Sequence, residues 1–497
     1  MLMAVGVAAA VAGIIALVVI LAGGGGRKAP PPLPGLKVQG TRLLDGAGRP
    51  LRVLGVNRSG TEYYCVQNRG IFDGPSDDAS IATMASWGIN AVRIPLNEDC
   101  WLGLNGVNPR FSGLRYQQAI VAYVNRLMLH KLDVIFDLQW VAPGTRLATR
   151  LESAPDADHA ARFWSSVARQ FRGYPGVAYD LFNEPHQISW SCWRDGCVGP
   201  DGWRTAGMQQ LIDAVRAAGA RQPVIAEGLG YAADLSGWLA HRPVDRAGQL
   251  VAGWHMYNQS LCSQTSCWDR TVAPLTQHFP VLATEVGETD CRSVFLGRLL
   301  PWADARNIGY LAWTWNPTGC SIGPALIRDY AGTPTPYGAG FLAHINPAAA
   351  RSAMQITQSE FANGTDGWTV RWGSGLTLTS EPQPAPAPPG LTLKLSGRAL
   401  PAAGTDQRLA AVGAGSTVRY QMWAPPGVDL ELEPMITAFN WNVTLLPARR
   451  LHSGSNTITF RVPDTVPDVR VLGFQLNNRD GWNGGLVIDH MDWSPAS

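Results

Sequence analysis

Val177-Ala-Tyr-Asp-Leu-Phe-Asn-Glu-Pro-His186 is the stretch from which the fold can be read. Val177 to Phe182 is a short apolar and aromatic run of the kind a parallel strand buried on both faces requires, and it stops abruptly at polar residues. A carboxylate, Glu184, therefore sits at the C-terminal tip of a strand. Pro185 disfavours the helical conformation for the residue before it, which predicts an extended Glu184 rather than one wound into the next helix.

Working outward, similar runs alternate with amphipathic stretches from about residue 36 to residue 346. Strands are expected at Leu51–Val56, Ala91–Pro95, Asp133–Leu138, Val177–Phe182, Val224–Glu227, Leu250–Met256, Val281–Thr284 and Tyr310–Trp315. Between them Asp78–Trp87, Leu114–Leu129 and His159–Phe171 carry apolar residues at helical spacing, as Phe163, Val167 and Phe171 illustrate. Gly88 and Gly173 stand where two of these helices would end. Eight such units over roughly 300 residues match a (β/α)8 TIM barrel; an open doubly wound sheet is the alternative, but no glycine-rich phosphate-binding turn follows the first strand.

A barrel places its chemistry at the C-terminal ends of the strands. Those ends carry Asn57-Arg58-Ser59, Arg93 with Asn97-Glu98-Asp99, Gln139-Trp140, Asn183-Glu184, His255 and Tyr257, Glu285, and Trp313 with Trp315. Glu184 and Glu285 come from the fourth and seventh strands, which face each other across the mouth. Two carboxyl groups about 5 to 5.5 Å apart can cleave a glycoside with retention, one as proton donor and the other as nucleophile. The nucleophile must stay ionised, and Arg93 and Tyr257 are the groups expected to keep Glu285 so.

The motifs Gly55-Val-Asn-Arg-Ser-Gly60, Asn90-Ala-Val-Arg-Ile-Pro95, Asp137-Leu-Gln-Trp140, Leu181-Phe-Asn-Glu-Pro185, His255-Met-Tyr257, Thr284-Glu-Val-Gly287 and Ala312-Trp-Thr-Trp-Asn316 follow one another in an order and spacing that resemble glycoside hydrolase family 5, the cellulase-type retaining barrel enzymes. The resemblance implies Glu184 as acid/base, Glu285 as nucleophile and Asn183 on the sugar 2-hydroxyl. It also implies support of the nucleophile by Arg93 and Tyr257, His255 lining the site, and Trp313 rather than Trp315 as a stacking platform. One departure stands out: the family usually has Asp-Leu-His where this chain has Asp137-Leu138-Gln139, and an amide can hydrogen-bond a hydroxyl but cannot titrate. The implied activity is endo-hydrolysis of a β-1,4-linked polysaccharide, a glucan first, with mannan or another β-glycan as the alternative within the class. A non-catalytic glycan-binding protein is the alternative outside it.

Composition limits the other readings. A net charge of +2 argues against a nucleic-acid partner, and the 19 Trp residues exceed what core packing usually needs, which suits sugar-stacking surfaces. The 8 Cys, all before residue 321, fit disulfides and an oxidising compartment better than metal binding, since neither Cys192-x4-Cys197 nor Cys262-x4-Cys267 has zinc-site spacing. Those two pairs are expected to close locally, with Cys65–Cys100 and Cys291–Cys320 as the remaining bridges. Residues 4–22 are an unbroken apolar run, so residues 1–26 read as a signal peptide or membrane anchor and residues 27–35 as a Gly/Pro-rich tether. The protein is accordingly expected to be a monomer, extracellular or anchored at the cell surface.

The texture changes after residue 346. Residues 355–497 hold no Cys and show alternating runs such as Leu391–Leu395, Thr457–Val462 and Val469–Leu476, the pattern of an all-β sandwich. The Pro-rich tract at residues 381–389 reads as a loop within this domain. Residues 361–368, with Leu472–Asn478 and Leu486–Asp489, resemble jelly-roll carbohydrate-binding modules. The resemblance makes Trp423, Trp441 and Trp482 candidate sugar platforms and lets Glu360 or Asp492 contribute to a structural calcium site. No other cofactor is expected.

Overall fold

The computed structural model describes residues 34–319, 323–354, 368–379, 387–388, 390–405, 412, 414–438, 442–466 and 469–494. Its first elements are three short antiparallel strands, β1 (Lys37–Gln39), β2 (Arg42–Leu44) and β3 (Pro50–Leu51). Eight parallel strands then close into a barrel: β4 (Leu54–Asn57), β5 (Ala91–Asn97), β6 (Asp133–Trp140), β7 (Val177–Asp180), β8 (Val224–Glu227), β9 (Leu250–Tyr257), β10 (Val281–Gly287) and β11 (Gly309–Ala312). β11 pairs with β4 through Tyr310–Leu54, Leu311–Gly55 and Ala312–Val56, so the sheet has no free edge.

All eight expected strands are present, with shifted ends. β7 stops at Asp180, two residues before the apolar run does, yet Leu181 N–H still donates to Ile225 O and Asn183 N–H to Leu138 O. Those two bonds carry the chain to Glu184. Helices Asp78–Ser86, Leu114–Leu129 and Ala160–Phe171 also lie where the periodicity puts them. In the second, Tyr116, Ile120, Tyr123, Val124 and Leu127 are buried at three-four spacing. Gly88 follows its helix with φ +84°, a left-handed termination that a side chain would strain. Gly173 is not in that region; its helix closes instead through the Tyr174 N–H to Phe171 O turn and runs directly into Pro175.

The barrel interior is layered. At the N-terminal end Ala91, Ile135, Ala178, Ile225, Val251, Leu282 and Leu311 form one buried apolar cluster with Leu36, Val38, Leu43, Leu51 and Val53. The β1–β3 sheet therefore floors the barrel, pinned by Val38 N–H to Gln249 Oε1 (2.8 Å) and Gly35 N–H to Asp133 Oδ1 (2.8 Å). This floor was not anticipated, because strands of two or three residues carry no usable period.

After helices Pro336–Ile345 and Pro347–Met354 come two antiparallel sheets. Their strands are β12 (Trp368–Trp372), β13 (Leu376–Thr379), β14 (Leu391–Leu395), β15 (Ala402–Thr405), β16 (Thr417–Ala424), β17 (Glu431–Ala438), β18 (Val443–Leu445), β19 (Arg449–Arg450), β20 (Gly454–Arg461), β21 (Val469–Asn477) and β22 (Gly484–Ser494). One sheet runs β12-β15-β21-β17-β18, with β19 also on β17; the other runs β13-β14-β22-β16-β20. The chain passes repeatedly from one sheet to the other, as in a jelly roll, and Leu393, Tyr420 and Ile488 share a core with Trp368, Leu432 and Phe474. Alternation of buried and exposed residues along β16 and β20 is the period read from the sequence.

Disulfides join Cys65–Cys100, Cys192–Cys197 and Cys262–Cys267, as expected. Cys291 is also disulfide-bonded, while Cys320 lies outside the described residues. So do residues 1–33, and with them the apolar run; among the described residues no helix is long and apolar enough to cross a membrane. Residues 361–367 of the second domain's opening motif, Glu360, Trp441 and most of the Pro-rich tract lie outside them too.

Candidate active site

Two residues above the apolar layer, on the same inward strand face, the barrel becomes polar. Arg93 on β5 is fully buried and surrounded by carboxylates: Asp137 Oδ2 at 2.8 Å, Asp180 Oδ2 at 3.0 Å, Glu227 Oε1 at 3.0 Å and Glu285 Oε1 at 2.7 Å. Its guanidinium also donates to Asn57 Oδ1 (3.0 Å) and Asn183 Oδ1 (2.9 Å). One cation cannot keep so many buried carboxylates ionised. Burial, which the charge of Arg93 opposes and those of Glu227 and Glu285 reinforce, lifts the Asp137 carboxyl to about 8; Asp180, in the same surroundings, is raised well above the usual range. Arg93 thus serves the acids that remain charged.

Glu285 is one of the acids it contacts. Its Oε1 accepts from Arg93 and its Oε2 accepts the Tyr257 hydroxyl at 2.5 Å. Burial and the adjacent Glu285 charge push the Tyr257 phenol well up, so it remains a donor. β10 reaches this position through an irregularity: Ala283 pairs with Trp254 and Glu285 with the next residue, His255, leaving Thr284 as an extra residue. This bulge lets consecutive side chains point inward. Thr284 reaches Glu227 and His255 while Glu285 reaches Arg93 and Tyr257.

Glu184 faces Glu285. Burial and then the Glu285 charge raise its carboxyl, against hydrogen bonding from His255. Its backbone is not extended as the following proline suggested but left-handed, φ +55°. Pro185 excludes the helical well without choosing among the others, and the tertiary setting chooses: Glu184 N–H donates to Glu227 Oε2 at 2.6 Å and its Oε1 lies 3.1 Å from His255 Nδ1. One carboxylate oxygen of Glu184, one of Glu285 and a His255 nitrogen all lie within 4.8 Å of one another. They could ligate a cation, but Glu285 is already engaged by Arg93 and Tyr257. Glu98, Asp156 and His159 form a second such group away from this centre.

Around the pair, Gln139, the last residue but one of β6, has its amide oxygen buried and without a protein partner, and Trp313 on the mouth is partly exposed. Trp315 is 1 % exposed and packs edge-on against Trp87 at 4.8 Å. His186 stacks on Tyr231 at 4.2 Å beside Glu184, whose carbonyl lies 2.8 Å from His186 Nδ1. In the second domain Trp423 and Trp482 are half-buried, and the Asp492 carboxylate is paired with Arg419 at 2.9 Å.

The residues the sequence singled out, Arg93, Asn183, Glu184, His255, Tyr257 and Glu285, are thus joined by direct contacts. Glu227 was read only as the end of a strand. The available signal was its place on β8, level with Asp180 and Arg93, among barrel positions that are otherwise apolar or already assigned.

Two facing carboxyls at the mouth of a (β/α)8 barrel, one gripped by Arg and Tyr and the other by His, define a glycoside hydrolase. The profile of the cellulase family, glycosyl hydrolase family 5, matches residues 44–319, more than half of the chain, and the chain belongs to that family. It is 24% identical over 307 residues to endoglucanase E-5 of Thermobifida fusca, covering 56% of this chain and 55% of that protein, so it spans about half of that relative's length. It is 26% identical over 429 residues to endoglycoceramidase I of Rhodococcus hoagii, covering 71% of this chain and 85% of that one. Among solved structures, a β-glucanase of Saccharophagus degradans in complex with cellotetraose shares the fold with a TM-score of 0.50 at 19% identity, over 65% of this chain and 98% of that one. An endocellulase of Pyrococcus horikoshii does so with a TM-score of 0.50 at 17% identity, over 63% and 98%.

Proposed function

We propose that the protein is a retaining endo-β-glycosidase acting by double displacement on a β-1,4-linked glucan, with Glu184 as acid/base and Glu285 as nucleophile. The observation that carries this is the asymmetry of the pair: Arg93 and Tyr257 both donate to Glu285, whereas burial favours the protonated form of Glu184. A spacing within 4.8 Å suits attack and protonation at one glycosidic bond better than the wider gap an inverting enzyme needs for a water. In the first step Glu184 protonates the leaving oxygen while Glu285 attacks the anomeric carbon. In the second, Glu184 takes a proton from the water that releases the sugar. Asn183, whose amide oxygen is committed to Arg93, offers its NH2 to the 2-hydroxyl; Gln139 offers an unpaired acceptor to a further hydroxyl, and Trp313 the stacking face. The chemistry is assigned to these side chains with no cofactor.

A second reading of the aglycone is favoured by one observation. The relative that covers 71% of this chain, more than the barrel itself accounts for, is an endoglycoceramidase, so the bond cleaved could join the sugar to a lipid instead of to a second sugar. In either reading the C-terminal sandwich binds substrate, with Trp423 and Trp482 as its candidate platforms, and the enzyme is exported. Glu360 and Asp492 remain the proposed calcium ligands only if Asp492 exchanges its Arg419 partner for the ion.

The test is product analysis by NMR on carboxymethylcellulose, mixed-linkage glucan, mannan and glucosylated ceramide. Release of the β-anomer first supports retention, and first appearance of the α-anomer would sink the mechanism. The polymer or lipid that turns over decides the aglycone.

A further inference from the structure

Glu227 is fully buried and cannot touch a sugar, yet it meets more groups of the site than Glu285 does. Its Oε1 accepts from Arg93 Nη2 (3.0 Å) and Thr284 Oγ1 (3.1 Å) and lies 2.8 Å from His255 Nε2; its Oε2 accepts the backbone N–H of Glu184 (2.6 Å). Opposite it on β9 stands Gly253, where a Cβ would come within 2.7 Å of Glu227 Cγ. Room for this side chain is therefore set by the neighbouring strand.

We propose that Glu227 is a positioning residue of the reaction, fixing both the left-handed main chain of Glu184 and the proton on His255 Nε2, so that His255 Nδ1 alone faces Glu184 and shares with it the proton that goes to the leaving oxygen. This rests on the reading of Glu184 as acid/base. The backbone argument is that φ +55° is a conformation a non-glycine residue seldom adopts without support, and the N–H to Glu227 is the bond that supports it. The proton argument is one of donors and acceptors. Thr284 spends its only hydroxyl hydrogen on Glu227, so its oxygen lone pair faces His255 Nε2 at 3.0 Å, alongside the Glu227 carboxylate. With acceptors on both sides, Nε2 must carry the hydrogen. Nδ1, 3.1 Å from Glu184 Oε1, then shares one proton with that carboxyl, as a hydrogen bond in either direction, and the pair gives this proton up to the leaving oxygen.

The charges facing this group come from every neighbouring strand: Arg93 from β5, Asp137 from β6, Asp180 from β7, Glu184 beyond it, Tyr257 from β9 and Glu285 from β10. Glu227 opposes its own burial through His255 and Arg93 and is held below the usual carboxylate range; Asp180, raised by burial and by Glu227, stays protonated toward it. Removing the negative charge of Glu227 makes the His255–Glu184 pair release its last proton more readily.

The experiment is Glu227→Gln in the full chain, assayed on whichever substrate the wild type turns over. The expected result is a fall in kcat on the order of 10- to 100-fold, KM within about threefold, and an alkaline limb of the kcat/KM profile moved about one pH unit toward acid. An unmoved alkaline limb overturns the proposal, whether or not kcat falls. Imidazole ¹⁵N NMR of the wild-type enzyme gives a second reading that needs neither a variant nor activity: Nε2 protonated throughout the active pH range is expected, and a bare Nε2 overturns the proposal. Full activity of Glu184→Gln would instead overturn the acid/base reading, with the ¹⁵N result unaffected.

Discussion

The barrel holds two interior layers one strand repeat apart, and they are built on opposite principles. Ala91, Ile135, Ala178 and Ile225 are followed two residues later on the same strands by Arg93, Asp137, Asp180 and Glu227. The lower layer is stabilised by excluding water from apolar area. The upper layer is equally dry, but it carries charges whose desolvation is offset by ion pairs with one another and by hydrogen bonds with neighbours such as Asn183, Thr284 and the Glu184 main chain. A buried ion cluster adds little stability for what it costs; what it secures is a fixed field at the mouth, around the proposed nucleophile Glu285 and the proposed acid/base Glu184. The lower layer is thus answerable to stability and the upper one to chemistry.

That division can be broken most sharply at the top. Glu285→Gln and Glu184→Gln should each lose activity on the order of 10³-fold or more while melting near the wild type, as expected when a nucleophile or a proton donor is removed. Unchanged turnover in either would take that residue out of its role. Arg93→Met should fail on both counts, since stranding Glu227 and Glu285 without their cation costs about 3–5 kcal/mol by denaturant titration and removes support for the proposed nucleophile. A stable but inactive Arg93→Met would mean that the carboxylates are neutralised some other way. Ile225→Ala, one step below, should lower stability by about 2–4 kcal/mol and leave kcat at 25 °C within about twofold. A loss of kcat comparable to that of the charged layer would erase the distinction.

The smallest effect concerns a buried acid away from the reacting pair. Burial and then Asp156 hold the Glu98 carboxyl protonated well above its ordinary range. At pH values below the ordinary carboxylate pKa both folded and unfolded chains carry that proton, so it contributes nothing. As pH rises the unfolded chain releases the proton while the folded one retains it, and stability falls. Glu98→Gln should therefore melt with the wild type at about pH 4 and on the order of 2 °C above it at pH 8, by calorimetry at both values. An equal effect at the two pH values would show that Glu98 does not hold a proton.

Much of the site could be read from Arg93, Asn183, Glu184, His255, Tyr257 and Glu285, because a barrel strand turns a period of two directly into a position on the inner wall. Glu227 escaped for the same reason. It obeys the period, but a buried carboxylate that never meets substrate has no signature at the level of residue type. Glu184 was placed correctly and given the wrong backbone, since a following proline excludes one conformation and leaves the others to tertiary contacts.

The sequence by itself determined the eight parallel strands, the flanking helices, the two local disulfide pairings, the change to a β-sandwich and the two facing acids, all of which depend on local period, spacing or order along the chain. The tertiary structure alone decided that β1–β3 floor the barrel, that the bulge at Thr284 turns two consecutive residues inward, and that Arg93 reaches Glu285 while burial raises the Asp137 and Asp180 carboxyls. Those outcomes depend on which groups meet in a medium without water, and sequence distance says nothing about that: Arg93 and Glu285 are 192 residues apart in the chain and 2.7 Å apart in space.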